Sequence, residues 1–410
     1  MGHFITEIEI DKLRHLSGIT ISLNPEARQH LMVTGKNGSG KTSLLLALRK
    51  YLQAVNYGRL TSLNTDYVRW LRDAERKRTE ALTEAEKFEA EKNYQEKLGF
   101  VQNYQDGVRA AFCQSEDLDA LYEKGEFIIA FFPANRMAKI IPAHGVENIK
   151  LNTRYNIGDS PGELLMKYMV HLKTQQAYAR NEGDLGNVDK IQAWFDRFTN
   201  ALKVLLDDGS IEMAYDYKEY NFKIHEDGRD PFGFDELSDG YSSVIHIVSD
   251  LILRMDKNWL LGDSLSQYNT EGIVLIDELE THLHIELQKK ILPFLVEFFP
   301  RIQFIVTTHS PYILNSIPNA KAYDLETCME LENTFVYSSD GLAEAFFDAD
   351  EYSDELKKSM ERYEYLKGQA GLNEEERAER ARLRSLLKNI PKGFSKEARD
   401  KFEEIEGNSV

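Results

Sequence analysis

Residues 35–42 read Gly-Lys-Asn-Gly-Ser-Gly-Lys-Thr and satisfy G-x-x-x-x-G-K-[ST] at every position. Such a loop works only between a strand and a helix, and the neighbouring residues supply both. His30-Leu31-Met32-Val33-Thr34 is an apolar run suited to a buried parallel strand, and Ser43 to Arg49 holds strong helix formers and no breaker. Three glycines let successive N–H groups turn into one concavity, where the helix N-terminus adds its partial positive charge. The phosphates of a nucleoside triphosphate fit that concavity, which Asn37, Gly38, Ser39, Gly40, Lys41, Thr42 and Ser43 are expected to line. Lys41 is expected to reach the β- and γ-phosphates, and the Thr42 hydroxyl to ligate Mg²⁺.

At 410 residues the chain exceeds one minimal core, and two or three lobes are expected. Its composition, 42% hydrophobic and 29% charged, is that of a globular protein. A formal net charge of −18 argues against coating nucleic acid through the overall field. Cys113 and Cys328 lie far apart with no C-x-x-C, which disfavours a disulfide framework or a structural zinc site and fits a reducing cytoplasm. The most apolar stretch, Ile291 to Phe299, is broken by Pro293 and Glu297 and is far shorter than a membrane span, so no membrane partner is expected.

Along the chain, residues 1–62 read as a strand pair, a strand, the phosphate loop and its helix. Residues 63–125 read as a helical insertion arm. From Asp66 to Phe112 there is no proline, and Tyr94, Leu98, Val101, Val108 and Phe112 fall near helical spacing. Residues 126–143 return to the core with an apolar strand, Glu126 to Phe132, ending in Pro133-Ala134-Asn135-Arg136. Residues 144–230 read as a second lobe. Ser160-Pro161-Gly162-Glu163 starts a helix through Tyr168 and Leu172, a second helix spans Val188 to Leu205, and alternation at Ile211, Met213, Tyr215 and Tyr217, then Tyr220, Phe222 and Ile224, marks a hairpin. Residues 231–320 carry the remaining chemistry, and 321–410 read as a strand followed by a charged helical tail. Beyond Glu351 that tail has turns at Gly368 and Gly371, a break at Pro391, and one weakly amphipathic helix marked by Leu383, Leu386 and Leu387.

The second strong signal is Gly272-Ile273-Val274-Leu275-Ile276-Asp277-Glu278. A buried parallel strand delivers both carboxylates to its C-terminal edge, where ligands bind in open α/β sheets. Asp277 suits the Mg²⁺ shell, and Glu278 suits a base that polarises an attacking water. Glu236-Leu237-Ser238-Asp239-Gly240-Tyr241-Ser242 leads into an apolar helical stripe and presents a second helix N-terminus behind Ser238 and Gly240. Gln303 to Thr308 is another buried strand, and His309 stands at its end.

In this order the four segments resemble the ABC-type ATPases, and within them the SMC, RecF and OLD-like branch, over residues 4–60, 126–143 and 230–318. Glu280-Thr281-His282-Leu283-His284 and Thr307-Thr308-His309-Ser310-Pro311 are close to that branch's wording, with Ile285 where proline is usual. The resemblance implies an α/β fold, an ABC-type P-loop ATPase head carrying the helical arm and a helical/β second lobe. It implies ATP and Mg²⁺ as cofactors and hydrolysis of ATP to ADP and phosphate. Ser238 and Gly240 would contact the γ-phosphate held by another subunit, which requires a homodimer or higher homo-oligomer. His309 would sense the same phosphate. Asn135 or Arg136 stands where a Q-loop glutamine is usual, and Arg14 resembles a basic residue that approaches the nucleotide.

The arm is far shorter than an SMC arm, and no second α/β pattern follows His309 to form a nuclease domain. The chain is thus similar to the ATPase subunits of the Septu type, including retron-linked forms, and of the PARIS type of bacterial anti-phage system. That similarity implies a separate effector protein, expected to be a nuclease, with nucleic acid or a phage component as trigger. Two other readings stand beside it: a RecF-like DNA-repair clamp, disfavoured by the acidic balance, and a nucleotide-locked scaffold, disfavoured by Glu278.

Overall fold

The computed structural model describes residues 2–136, 139–261, 269–331, 333–339, 341–343, 354–369, 371–388 and 396–407. Residues 1–342 form one compact unit and 343–410 a second.

In the first unit, β1 (Ile5–Leu13) pairs antiparallel with β2 (Leu16–Ser22) on one side and with β4 (Val108–Phe112) on the other. Ile8 and Ile10 alternate onto the buried face. A register shift between Ile5 and Glu7 brings Ile5 onto the same face. A six-stranded sheet lies beyond, in the order β11-β10-β3-β9-β8-β5. Here β3 is His30–Thr34, β5 Phe127–Phe132, β8 Glu271–Ile276, β9 Ile302–Thr307, β10 Ala320–Asp324 and β11 Met329–Leu331. All neighbours run parallel except β11, an antiparallel edge. Every residue of β3, β8 and β9 is buried, as expected of parallel strands covered on both faces. Helix α1 (Lys41–Asn56) buries Leu44, Leu45, Leu48 and Leu52 in a core that also holds Ile8 and Ile10 of the small sheet and Val33 and Ile305 of the large one. Its Tyr51 hydroxyl donates to the Ala110 carbonyl of β4 at 3.0 Å.

That last contact corrects the reading of the arm. Two helices do form, α2 (Val68–Glu80) and α3 (Glu84–Gln102), the second opened by a complete Thr83/Glu86 capping box. Val108 and Phe112, however, belong to β4. Their spacing is compatible with a helix, but Gly107, at φ 71, turns the chain so that Val108 and Ala110 can bury against β1.

After β5 come α5 (Leu165–Glu182) and α6 (Leu185–Leu206), with α4 (Leu118–Lys124) lying before that strand. Ser160 makes no side-chain cap, and a 3₁₀ turn over Pro161–Leu164 precedes α5. Strands β6 (Glu212–Asp216) and β7 (Asn221–His225) make the expected hairpin. Trp194 and Phe195 of α6 lie at the centre of this region. Trp194 stacks on Phe198 at 5.5 Å, Phe195 on Phe222 at 5.5 Å, and the Trp194 indole N–H donates to Asp256 at 2.6 Å. Asp256 lies on α7 (Asp239–Leu261), so the aromatic core grips the helix that follows Ser238.

The second unit holds α9 (Asp354–Gly368), α10 (Glu374–Lys388) and α11 (Lys396–Gly407), while α8 (Ile285–Phe298) belongs to the first. The expected helical tail turns at Gly368 and Gly371, α10 carries Leu383, Leu386 and Leu387, and the three helices close around Met360, Tyr363, Leu387, Phe402 and Ile405, a core the charged sequence did not suggest. Leu386 is exposed and Leu387 buried. Glu351 and Pro391 lie outside the described residues.

Candidate active site

The phosphate loop leaves β3 through Gly35 at φ 131, Gly38 at φ 88 and Gly40 at φ 103, conformations that a side chain disfavours. At Gly40 a Cβ would also stand 3.0 Å from Leu16 Cδ1, so the β1–β2 turn presses on the loop. No side chain caps α1, which leaves its first N–H groups facing the loop. Lys41, 6% exposed, donates from Nζ to the carbonyls of Gly35 at 2.7 Å and Lys36 at 3.0 Å. Burial pulls its pKa below the usual lysine value, opposed by Glu278, Glu280, Asp277 and Asp324. Asn37 and Gly38 are exposed at the loop tip, and Ser39 is buried beneath them.

The end of β8 meets this loop from the side. Asp277 Oδ1 accepts from Thr307 Oγ1 at 2.7 Å and from Thr42 Oγ1 at 3.3 Å. Thr42 and Asp277 are hard oxygen donors side by side, a set that suits Mg²⁺. Glu278 is half-buried at φ 46; its backbone N–H donates to Thr307 Oγ1 at 2.7 Å, and its carboxylate accepts from Thr281 at 3.3 Å. The His309 N–H at the end of β9 donates to Glu280 at 2.6 Å. Burial, then the nearby Lys41 charge, lowers the His309 pKa, so the ring is held neutral near pH 7. Because β9 lies between β3 and β8, the phosphate loop, both acids and His309 converge on one sheet edge.

Ser238 is exposed just before α7. Gly240 lies against the turn after β8: a Cβ there would stand 2.6 Å from the His282 carbonyl oxygen. Arg14 occupies the exposed β1–β2 turn at φ 55, two residues from the Leu16 that touches Gly40. Asn135 is exposed after β5. Arg136, the other residue at that position, is buried, and its guanidinium is bound to backbone carbonyls of the β8 turn.

Three contributors carry no sequence signal of their own. Thr307 bridges both acids, Glu280 holds His309, and Asp324 at the end of β10 is placed so that a Cβ on Gly35 would come within 2.9 Å of its Oδ1. Thr307 and Glu280 do fall inside the segments quoted for the family resemblance, which is the one hint they leave.

Parallel strands, phosphate loop, acidic strand end and neighbouring histidine together make the arrangement of an ABC-type P-loop fold. Similarity to known proteins agrees. A family profile described as "ABC transporter" matches residues 18–154, and one described as "AAA domain, putative AbiEii toxin, Type IV TA system" matches 168–315. Septu protein PtuA of Bacillus mycoides (strain KBAB4) is 30% identical over 167 residues, 38% of this chain and 23% of that protein. The Retron Ec83 probable ATPase of Escherichia coli is 37% identical over 91 residues, 22% of this chain and 16% of that protein. The chain thus spans less than a quarter of the length of these curated relatives. Among solved structures, the SMC head domain from Thermotoga maritima is 12% identical with a TM-score of 0.34, covering 78% of this chain and 94% of that one. Among the described residues no helix is long and apolar enough to cross a membrane.

Proposed function

We propose that this chain is the ATP-hydrolysing subunit of an anti-phage defence complex, which controls a separate effector, a nuclease, through nucleotide-dependent dimers or higher oligomers. The observation that carries the hydrolytic part is the Thr42–Asp277–Thr307–Glu278 network beside Lys41. Similarity to proteins named Septu protein PtuA and Retron Ec83 probable ATPase supports the defence context.

On this reading Asn37 to Ser43 cradle the phosphates with backbone N–H groups and the Ser and Thr hydroxyls. Lys41 leaves the Gly35 and Lys36 carbonyls to neutralise the β- and γ-phosphates. Thr42 and Asp277 hold Mg²⁺, which when bound offsets negative charge on the phosphate oxygens. Glu278 orients the attacking water and accepts its proton. His309, kept neutral, donates a hydrogen bond to the γ-phosphate. Ser238, exposed at the start of α7, is free to complete the site of a facing subunit, and Arg14 approaches the nucleotide from the β1–β2 turn.

Glu278→Gln and Lys41→Ala separate binding from chemistry. Losing the base lowers turnover about 10²-fold or more while ATP binding is retained, whereas losing the lysine weakens ATP binding itself. An active Glu278→Gln protein removes the assignment. The effector is sought by co-purification with the product of the adjacent gene, with and without ATP; tight duplex DNA binding at physiological salt without any such partner would favour the RecF-like clamp.

A further inference from the structure

Arg136 is 4% exposed and follows β5. Its Nη1 donates to the carbonyls of Pro133 at 3.1 Å and Asp277 at 2.7 Å, and its Nη2 to those of Glu278 at 3.1 Å and Leu279 at 3.0 Å. Three consecutive carbonyls of the turn that carries both acids are thereby tied to one planar fork. That turn needs a restraint, because Glu278 sits at φ 46, a left-handed conformation that side-chain-bearing residues rarely adopt. Thr307 holds the Glu278 N–H from the β9 side, so the peptide groups on either side of Glu278 are fixed from two directions. The contacts go to backbone, so they leave both carboxylates available while the buried positive charge lies close to Glu280, Asp277 and Glu278. Burial lowers this guanidinium to about 10 even with Glu280, Asp277 and Glu278 pulling it back up, so it stays a cation at neutral pH.

The geometry points to Arg136 as a positioning residue for hydrolysis, one that locks the strained Asp277–Leu279 turn and so aims the Glu278 carboxylate at the attacking water. The inference rests on the ATPase reading above. It also explains why no glutamine is needed after β5: the position serves the acids through their backbone and does not reach toward the nucleotide itself. Lysine cannot substitute fully, since one ammonium lacks the flat fork that spans four carbonyls.

The test is a double-mutant cycle on the intact chain, with Mg-ATP turnover and equilibrium ATP binding measured for Arg136→Lys and Arg136→Gln in the native and Glu278→Gln backgrounds. Arg136→Lys is expected to lower kcat about 10-fold or more in the native background, because a misplacement near 1 Å costs about 10²-fold, and to change ATP affinity little. In the Glu278→Gln background it should cost almost nothing further, because it acts through the carboxylate already removed. Equal losses in both backgrounds, an unchanged kcat, or unfolding of both arginine variants would each overturn the positioning role. A native protein that binds Mg-ATP without hydrolysing it would overturn the ATPase reading, and this inference with it.

Discussion

Thr307 offers the sharpest energetic test of how the acidic turn is built. Its side chain is fully buried, and its hydroxyl both donates to Asp277 Oδ1 and accepts from the Glu278 N–H, each at 2.7 Å. Thr307→Val keeps the shape and deletes both bonds. A hydrogen bond to an ionised group contributes about 1.5–3 kcal/mol, and a buried N–H left without an acceptor costs about 1–3 kcal/mol. Because the two losses share one site, a total of roughly 3–4 kcal/mol is expected. Thr307→Ser keeps the hydroxyl and loses one methyl group, about 1 kcal/mol with its small cavity. Valine should therefore be the worse replacement by about 2–3 kcal/mol, although it is the more apolar residue in an apolar strand. Urea unfolding of the three proteins at pH 7.5 gives the comparison directly, provided m is unchanged between them. Turnover should fall in the same order, since the Glu278 backbone loses an anchor. If Thr307→Val proves as stable as Thr307→Ser, the hydroxyl bridge does not hold the turn and the reasoning fails.

The same residue shows where sequence reading stops. The phosphate loop, the Asp277-Glu278 strand end and the His309 strand were legible because each is a local pattern, in which a run of apolar residues sets a buried strand and the next residue sets the chemistry. Thr307 and Arg136 act through the backbone of another segment, and no local pattern encodes a bond to a carbonyl lying about 140 residues away. The strand Val108–Phe112 was hidden for a similar reason. Two apolar residues four apart fit a helix equally well, and the deciding partner, β1, is the first strand of the chain, far away in sequence. The tail's helices and turns were legible but its core was not: Tyr363, Leu387 and Phe402 are far apart in a run rich in Glu, Lys and Arg, yet three short helices bring them together.

His30 predicts an acid limb in stability. Burial foremost, then the Arg28 charge, lowers its pKa from 6.5 to about 4, and its Nδ1 accepts from the Phe304 N–H at 3.1 Å. Below pH 6.5 the unfolded chain takes up a proton that the folded one refuses, so stability falls with pH down to about 4; between pH 7.5 and 4.5 this is roughly 2–3 kcal/mol. His30→Asn, which keeps an acceptor without the titration, should lose that much less over the same range in urea unfolding, and equal losses would rule the site out. For the facing-subunit role of Ser238, Lys41→Ala and Ser238→Arg proteins, each inactive alone, should recover turnover when subunits exchange; no recovery would place the loop's action within one chain. Finally, the arm should be dispensable for the head. Tyr67 packs on the core and lies 5.8 Å from Phe100 in ring centroids, so the two ends of the hairpin already meet. Between them Ala74 is the buried residue of α2, and the remaining contacts, such as Arg78 over Tyr94 at 4.0 Å and Arg78 with Glu91 at 3.7 Å, close the hairpin on itself. Replacing residues 69–99 by a short Gly/Ser linker removes little apolar burial from the head, about 1 kcal/mol. The shortened protein should keep its unfolding transition and its ATP turnover, while any partner that docks on the arm is lost in co-purification. Collapse of the fold would mean that the hairpin supports β4, and the arm would then have to be counted as part of the catalytic head.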